Sequence, residues 1–191
     1  EFAVIEIGMN APGEIAPLAR LARPHVALVT TVAPAHLEAF GVLEGIAREK
    51  SDIYEGLEPG GIAIANADVE TAPILLEKAA QHTARVLRVG EAENADLRLL
   101  EARISDSATV IRARAKDAEY LLKIGTPRRH LALNAVMALA AAIAAGADAA
   151  ETAIALGRWQ PVIGRGTRER LLLSATDGFS IELIDDAFNA N

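Results

Sequence analysis

The apolar positions of the chain fall into two rhythms. In the first half, apolar runs at Ala3–Ile7, His25–Thr31 and Gly61–Ala65 alternate with segments of helical spacing at Glu14–Ala22, Leu43–Gly56 and Thr71–Gln81, followed by another short strand at Arg85–Val89. Short runs that are apolar throughout suit strands buried on both faces, and strands separated by helices of this length read as βαβ units. The pattern predicts an α/β fold, a doubly wound and mostly parallel sheet flanked by helices. From Asp96 the period changes to two: Leu97–Ser105, Ala108–Ala115 and Glu119–Ile124 alternate and are joined by the turns Asp106-Ser107 and Lys116-Asp117. Alternation with such short connections predicts a small antiparallel β meander, inserted or appended. Pro127 then opens a helix over His130–Ala145 that Gly146 stops, and a second helix covers Ala149–Gly157. Thr167–Ala175 and Phe179–Ile184 flank the turn Thr176-Asp177-Gly178 as a final hairpin.

Composition narrows the function classes. With 191 residues, 51% of them hydrophobic, the chain has material for a packed core and is not a disordered segment. The absence of cysteine excludes disulfides, a thiolate zinc site and a cysteine nucleophile. A net charge of −7, with dispersed basic residues, gives no footprint for nucleic acid. The longest apolar helical stretch, Leu131–Gly146, falls short of the roughly 20 residues that span a bilayer, so no membrane span is expected. The opening residues carry no signal-peptide pattern, and a cytoplasmic location is expected. The chain starts directly on a strand-like run and ends on the polar stretch Asp185–Asn191, so it reads as a piece of a longer protein.

In an open parallel sheet, ligands collect at the carboxyl ends of the strands. The polar residues there are Glu6 with Gly8-Met9-Asn10, His36 on the loop after the second run, and Asp185-Asp186 after the last. Lys50 lies in the helical stretch downstream of His36. A carboxylate near the end of a buried strand is costly unless paired or binding a cation, so Glu6 is either in a salt bridge, at the sheet edge, or a metal ligand. His36 is either a hydrogen-bonded loop residue or a ligand, and Lys50, beside Glu49 and Asp52, is either solvated or functional. The Asp pair suits a metal or ribose hydroxyls, or simply caps a loop. Phosphate-loop, dinucleotide, nucleophile-elbow and zinc-helix motifs are all absent.

Taken in order, Glu6-Ile-Gly-Met-Asn10 with Pro12-Gly-Glu-Ile15, His36-Leu-Glu-Ala-Phe-Gly41, Lys50, Asn66-Ala-Asp68, His130-x-x-x-Asn134, Gly164-Arg165 and Asp185-Asp186-x-Phe-Asn-Ala-Asn191 resemble the central domain of the Mur ligases. The resemblance covers essentially the whole of residues 1–191. The MNxPGEI and DDxxNAN pieces favour those members that join D-alanyl-D-alanine to a UDP-N-acetylmuramoyl-tripeptide in peptidoglycan precursor synthesis.

The resemblance implies an ATP-dependent ligase that phosphorylates a peptide carboxylate and lets an amine attack the acyl phosphate. It further implies Mg²⁺ held by Glu6, His36 and Lys50, the lysine carbamylated by CO₂, with Lys50 and His36 as the catalytic pair. His130 and Asn134, one helical turn apart on one face, match the adenine side. Arg165 and Asp186 match phosphate and ribose contacts. Asn10, Asn189 and Asn191 match peptide-substrate positions. In the family the phosphate loop precedes the strand on which this chain opens, and further domains hold the uridine and acceptor portions, so the piece alone is expected to be inactive. The family usually has Asn at Thr31 and Ser-Tyr at Ala187-Phe188, which puts substrate contacts there in question. Two other readings stand beside this one: a different superfamily member, such as another Mur ligase or a folylpolyglutamate synthase, and a binding module that keeps the fold without catalysis. The oligomeric state is unknown.

Overall fold

The computed structural model describes residues 2–34, 37–160, 162, 167–173 and 176–185. The first half yields α1 (Ile15–Ala22), β1 (Val26–Val29), α2 (Leu37–Phe40), α3 (Leu43–Ser51) running into a 3-10 turn at Asp52–Gly56, β2 (Ile62–Asn66), α4 (Ala72–His82) and β3 (Val86–Gly90). The second half yields β4 (Leu97–Ile104), β5 (Thr109–Ala115), β6 (Ala118–Ile124), α5 (His130–Ala144), α6 (Ala149–Arg158), and the strands β7 (Thr167–Leu172) and β8 (Ser180–Asp185).

β1 to β6 form one six-stranded sheet in sequential order. β1 through β4 pair in parallel and β4 through β6 antiparallel. The expected meander is thus an extension of the parallel sheet, joined to it by the pairs Val89↔Leu97 and Gly90↔Arg98. The loop before β4 makes this possible. Arg88 donates from its backbone N–H to Asp96 Oδ2 (2.8 Å) while its guanidinium spans both carboxylate oxygens, and Asp96 returns its own N–H to the Arg88 carbonyl. β7 and β8 pair separately as a two-stranded antiparallel sheet.

Each face of the sheet carries its own core. Along β2, Ile62 and Ile64 point toward α5, where Val136, Met137, Leu139 and Ala140 meet them together with Val89, Leu97, Ile111 and Leu122. The intervening Ala63 and Ala65 point the other way with Ala27 and Val29, against Ile46 and Ala47 of α3, Tyr54, and Leu75 and Ala79 of α4. β2 is buried at every position, as a continuous apolar run requires. Gly146, at φ 92°, ends α5 in the left-handed conformation, and Asp148 caps α6 by accepting the N–H groups of Ala150 and Glu151.

The expected strand at Ala3–Ile7 is a correction. Residues 2–9 carry no strand, and Phe2, Val4 and Ile5 are 75%, 99% and 60% exposed. Apolarity supplies the burial term of a strand, but the ladder has to come from a neighbour. Among the described residues none pairs with this run.

The helices on the α3 side are locked by charge. Lys78 on α4 sits 2.8 Å from Asp52 and 2.5 Å from Glu55, and Arg20 of α1 reaches the other Glu55 oxygen. The Lys78 hydrogen bond holds the Glu55 carboxyl below its ordinary range, and Arg88 does the same for Asp96. A depressed carboxylate contributes stability that is present above its unfolded value of about 4 and is lost as the pH falls through the folded one. The urea midpoint of the chain should therefore hold steady from neutral pH down to about 5 and drop below about 4. Lys78→Met should lower stability at neutral pH by about 1–3 kcal/mol and flatten that acid dependence.

Candidate functional site

The carboxyl ends of the parallel strands form one edge, and a chain of contacts runs along it. β1 leads into Thr30-Thr31, β2 into Asn66-Ala67-Asp68, and β3 into Glu91-Ala92. Lys50, from the last turn of α3, donates its Nζ to the Thr31 carbonyl at 3.1 Å. Buried Asn66 donates Nδ2 to the Thr30 carbonyl (2.8 Å), and its Oδ1 accepts the Asp68 N–H (2.9 Å). The Asp68 carboxylate accepts the N–H groups of Glu91 (2.6 Å) and Ala92 (3.1 Å). The Glu91 carboxylate in turn meets the Arg129 guanidinium, 3.2 Å to each oxygen, at the start of α5. Gly90 lies under this bridge, where a Cβ would meet the Asp68 carboxyl carbon at 2.8 Å, so the approach of the loop to Asp68 needs a residue without one.

The two ends of this chain of contacts carry the residues singled out by sequence. At one end Lys50 is half-buried, has no carboxylate partner among the described residues, and is pushed below the ordinary lysine pKa by burial. That environment favours the neutral amine, the form in which a lysine is a nucleophile. At the other end His130 and Asn134 are exposed, one turn apart, on the side of α5 opposite buried Ala132, Val136 and Leu139.

Glu6 departs from expectation. It lies on the exposed segment without strand pairing, so it is not at the end of a buried strand, and it makes no ion pair among the described residues. Asn10 is exposed on the loop that follows, where its backbone N–H is held by Glu14 Oε2 at 2.7 Å. His36, Arg165, Asp186, Asn189 and Asn191 fall outside the described residues. Among the described residues no three His, Cys, Asp or Glu side chains gather as a metal cluster. No helix among them is long and apolar enough to cross a membrane. An apolar cavity of about 360 Å³, lined by Ile62, Val86, Leu97, Tyr120 and Ile143, opens at the opposite, amino end of β2 and β3.

One residue of the site escaped the sequence reading. Glu49 is only 6% exposed, and its carboxylate accepts the Gly13 N–H (2.7 Å) and the Ile15 N–H (2.9 Å) at the start of α1. The signal was its spacing. It stands three residues after Ile46, on the same inward helix face, where a solvated acid has no place.

A family model described as "Mur ligase middle domain" matches residues 1–142. The UDP-N-acetylmuramoyl-tripeptide–D-alanyl-D-alanine ligase of Escherichia coli is 33% identical over 192 residues, covering 100% of this chain and 41% of that protein. Among solved structures, MurF from Acinetobacter baumannii superposes with a TM-score of 0.86 at 27% identity, over 98% of this chain and 39% of that one. MurF ligase from Thermotoga maritima, solved in complex with ADP, gives 0.71 at 26% identity over 84% of this chain and 36% of that one. The chain spans about two fifths of the length of these relatives.

Proposed function

Because this chain belongs to the Mur ligase middle domain family, we propose that it is the ATP-binding central domain, residues 1–191, of a ligase that adds D-alanyl-D-alanine to UDP-N-acetylmuramoyl-tripeptide. The phosphate loop and the domains that hold the uridine and acceptor portions then lie elsewhere in the longer protein, and the piece by itself is inactive. The reading puts the protein in the cytoplasm, where ATP is supplied. The observation that carries it is the likeness, over the whole chain, to ligases of this one specificity, and the edge from Lys50 to Asn134 offers a place for the chemistry.

In the proposed reaction a peptide carboxylate attacks the γ-phosphorus of ATP, and ADP leaves. The amine of D-alanyl-D-alanine then adds to the acyl phosphate carbon, and phosphate and a proton depart as the amide forms. Such a sequence depends on positioning and on neutralising charge at the transferring phosphoryl group. Half-buried Lys50, without a carboxylate partner among the described residues, suits carbamylation: its neutral amine adds to CO₂, forms the N–C bond and releases a proton. Glu6, His36 and carbamylated Lys50 would hold Mg²⁺, which when bound supplies positive charge to the phosphoryl oxygens. Exposed His130 and Asn134 would receive the adenine, and Arg165 and Asp186 the phosphate and ribose. Asn10, Asn189 and Asn191 would contact the peptide substrate.

The test is ADP release by the full-length protein. With UDP-N-acetylmuramoyl-tripeptide present, D-alanyl-D-alanine should stimulate it by at least about tenfold, and L-alanine or glutamate should not. Stimulation by either of those acceptors instead, or none by any, would refute the assignment.

A further inference from the structure

The segment that bears Glu6 and Asn10 has no strand ladder, so something else must hold it in place. Among the described residues, the turn that joins it to α1 is bonded to the rest of the fold through one side chain. Glu49 grips the N–H groups of Gly13 and Ile15, while Glu14 closes the loop locally on Asn10 and Ala11. A carboxylate that is 6% exposed is tolerable because it accepts two backbone donors at the positive end of α1. Glu49 is also the residue before Lys50, on a helix end fixed from a second side by the bond of Lys50 to Thr31. Two neighbouring side chains of α3 thus point about 100° apart around the helix, one into the loop after residues 2–9 and one into the loop after β1.

We infer that Glu49 is a positioning residue of the site: its buried carboxylate ties the segment carrying Glu6 and Asn10 to the helix carrying Lys50. The role rests on the reading of Lys50 given above. Glu49 touches no reacting atom and acts by fixing the place and direction of its neighbours. Removing its carboxylate leaves two backbone donors without an acceptor and frees the turn that follows Asn10 from α3. The isosteric Glu49→Gln keeps the volume but turns one acceptor into an NH₂ group facing an N–H.

The experiment compares full-length wild type, Glu49→Gln, Glu49→Asp and Lys50→Ala, each assayed well below its measured Tm. Readouts are kcat, KM for ATP, and the ¹³C-carbamate resonance formed from ¹³C-bicarbonate. Glu49→Gln should lower kcat about tenfold or more, leave KM for ATP within about twofold, and lower carbamate occupancy at a fixed bicarbonate concentration. Glu49→Asp, which keeps the charge, should recover part of both. Wild-type kcat and carbamate signal in Glu49→Gln would overturn the inference. So would losses in kcat, KM and Tm that move together, because they mark a folding defect. Lys50→Ala separates the two levels. If it keeps activity and the carbamate signal, the reading of Lys50 fails and this inference falls with it. If it loses both while Glu49→Gln stays normal, only the positioning role fails.

Discussion

Lys50→Ala in the full-length protein is expected to reduce ligation by about a thousandfold, with partial recovery in formate or acetate at high concentration. The size follows from what is removed. A half-buried amine held on a backbone carbonyl is replaced by a methyl group, and the carbamate oxygens it would carry toward the phosphoryl transfer go with it. Small carboxylates fit the vacated space and restore negative oxygen ligands without the covalent tether, so recovery should be partial and saturable. The fold should be little affected, because the single bond to Thr31 is the only hydrogen bond of this side chain among the described residues. Activity within about threefold of wild type, or recovery by chloride as effective as by formate, would remove Lys50 from the mechanism.

Gly56→Ala should be the most damaging substitution to the fold. The 3-10 turn that follows α3 lies directly against α1, and a Cβ on Gly56 would collide with the backbone carbonyl of Ala19 and the N–H of Arg20. These are main-chain atoms of a packed helix, so no rotamer change relieves the clash and α1 must move bodily. A cost of about 3 kcal/mol or more is expected in urea denaturation. Gly60→Ala is the control. That site is open but has φ +79°, so only backbone strain of about 1 kcal/mol applies. Equal losses at the two positions would show that α1 is not seated on the turn as described.

The alternation of strands and helices was legible because β1 and β2 are apolar on both faces, a demand that leaves an uninterrupted mark in the sequence. The tight hairpins of β4–β6 were legible from period and turn residues. Their continuity with the parallel sheet was not, because it depends on Asp96 folding back onto Arg88, a pairing that no local period encodes. The opening run misled for the opposite reason: Val4 and Ile5 look like strand residues whether or not a neighbour is there to bond. At the candidate site, Lys50, His130 and Asn134 were singled out through family resemblance. Neither the half-burial of Lys50 nor the tie made by Glu49 is visible in residue type, since both arise where α3 crosses two loops distant in sequence.

The edge from Lys50 to Arg129 is written largely in main-chain atoms. Thr30 and Thr31 enter it through their carbonyls, and Ala92 through its N–H. A change of side chain at Thr31 therefore leaves the lysine's anchor in place. Side-chain changes at those loop positions leave the contacts in place, whereas loss of the Asn66 or Asp68 side chain removes a bond between neighbouring strand ends.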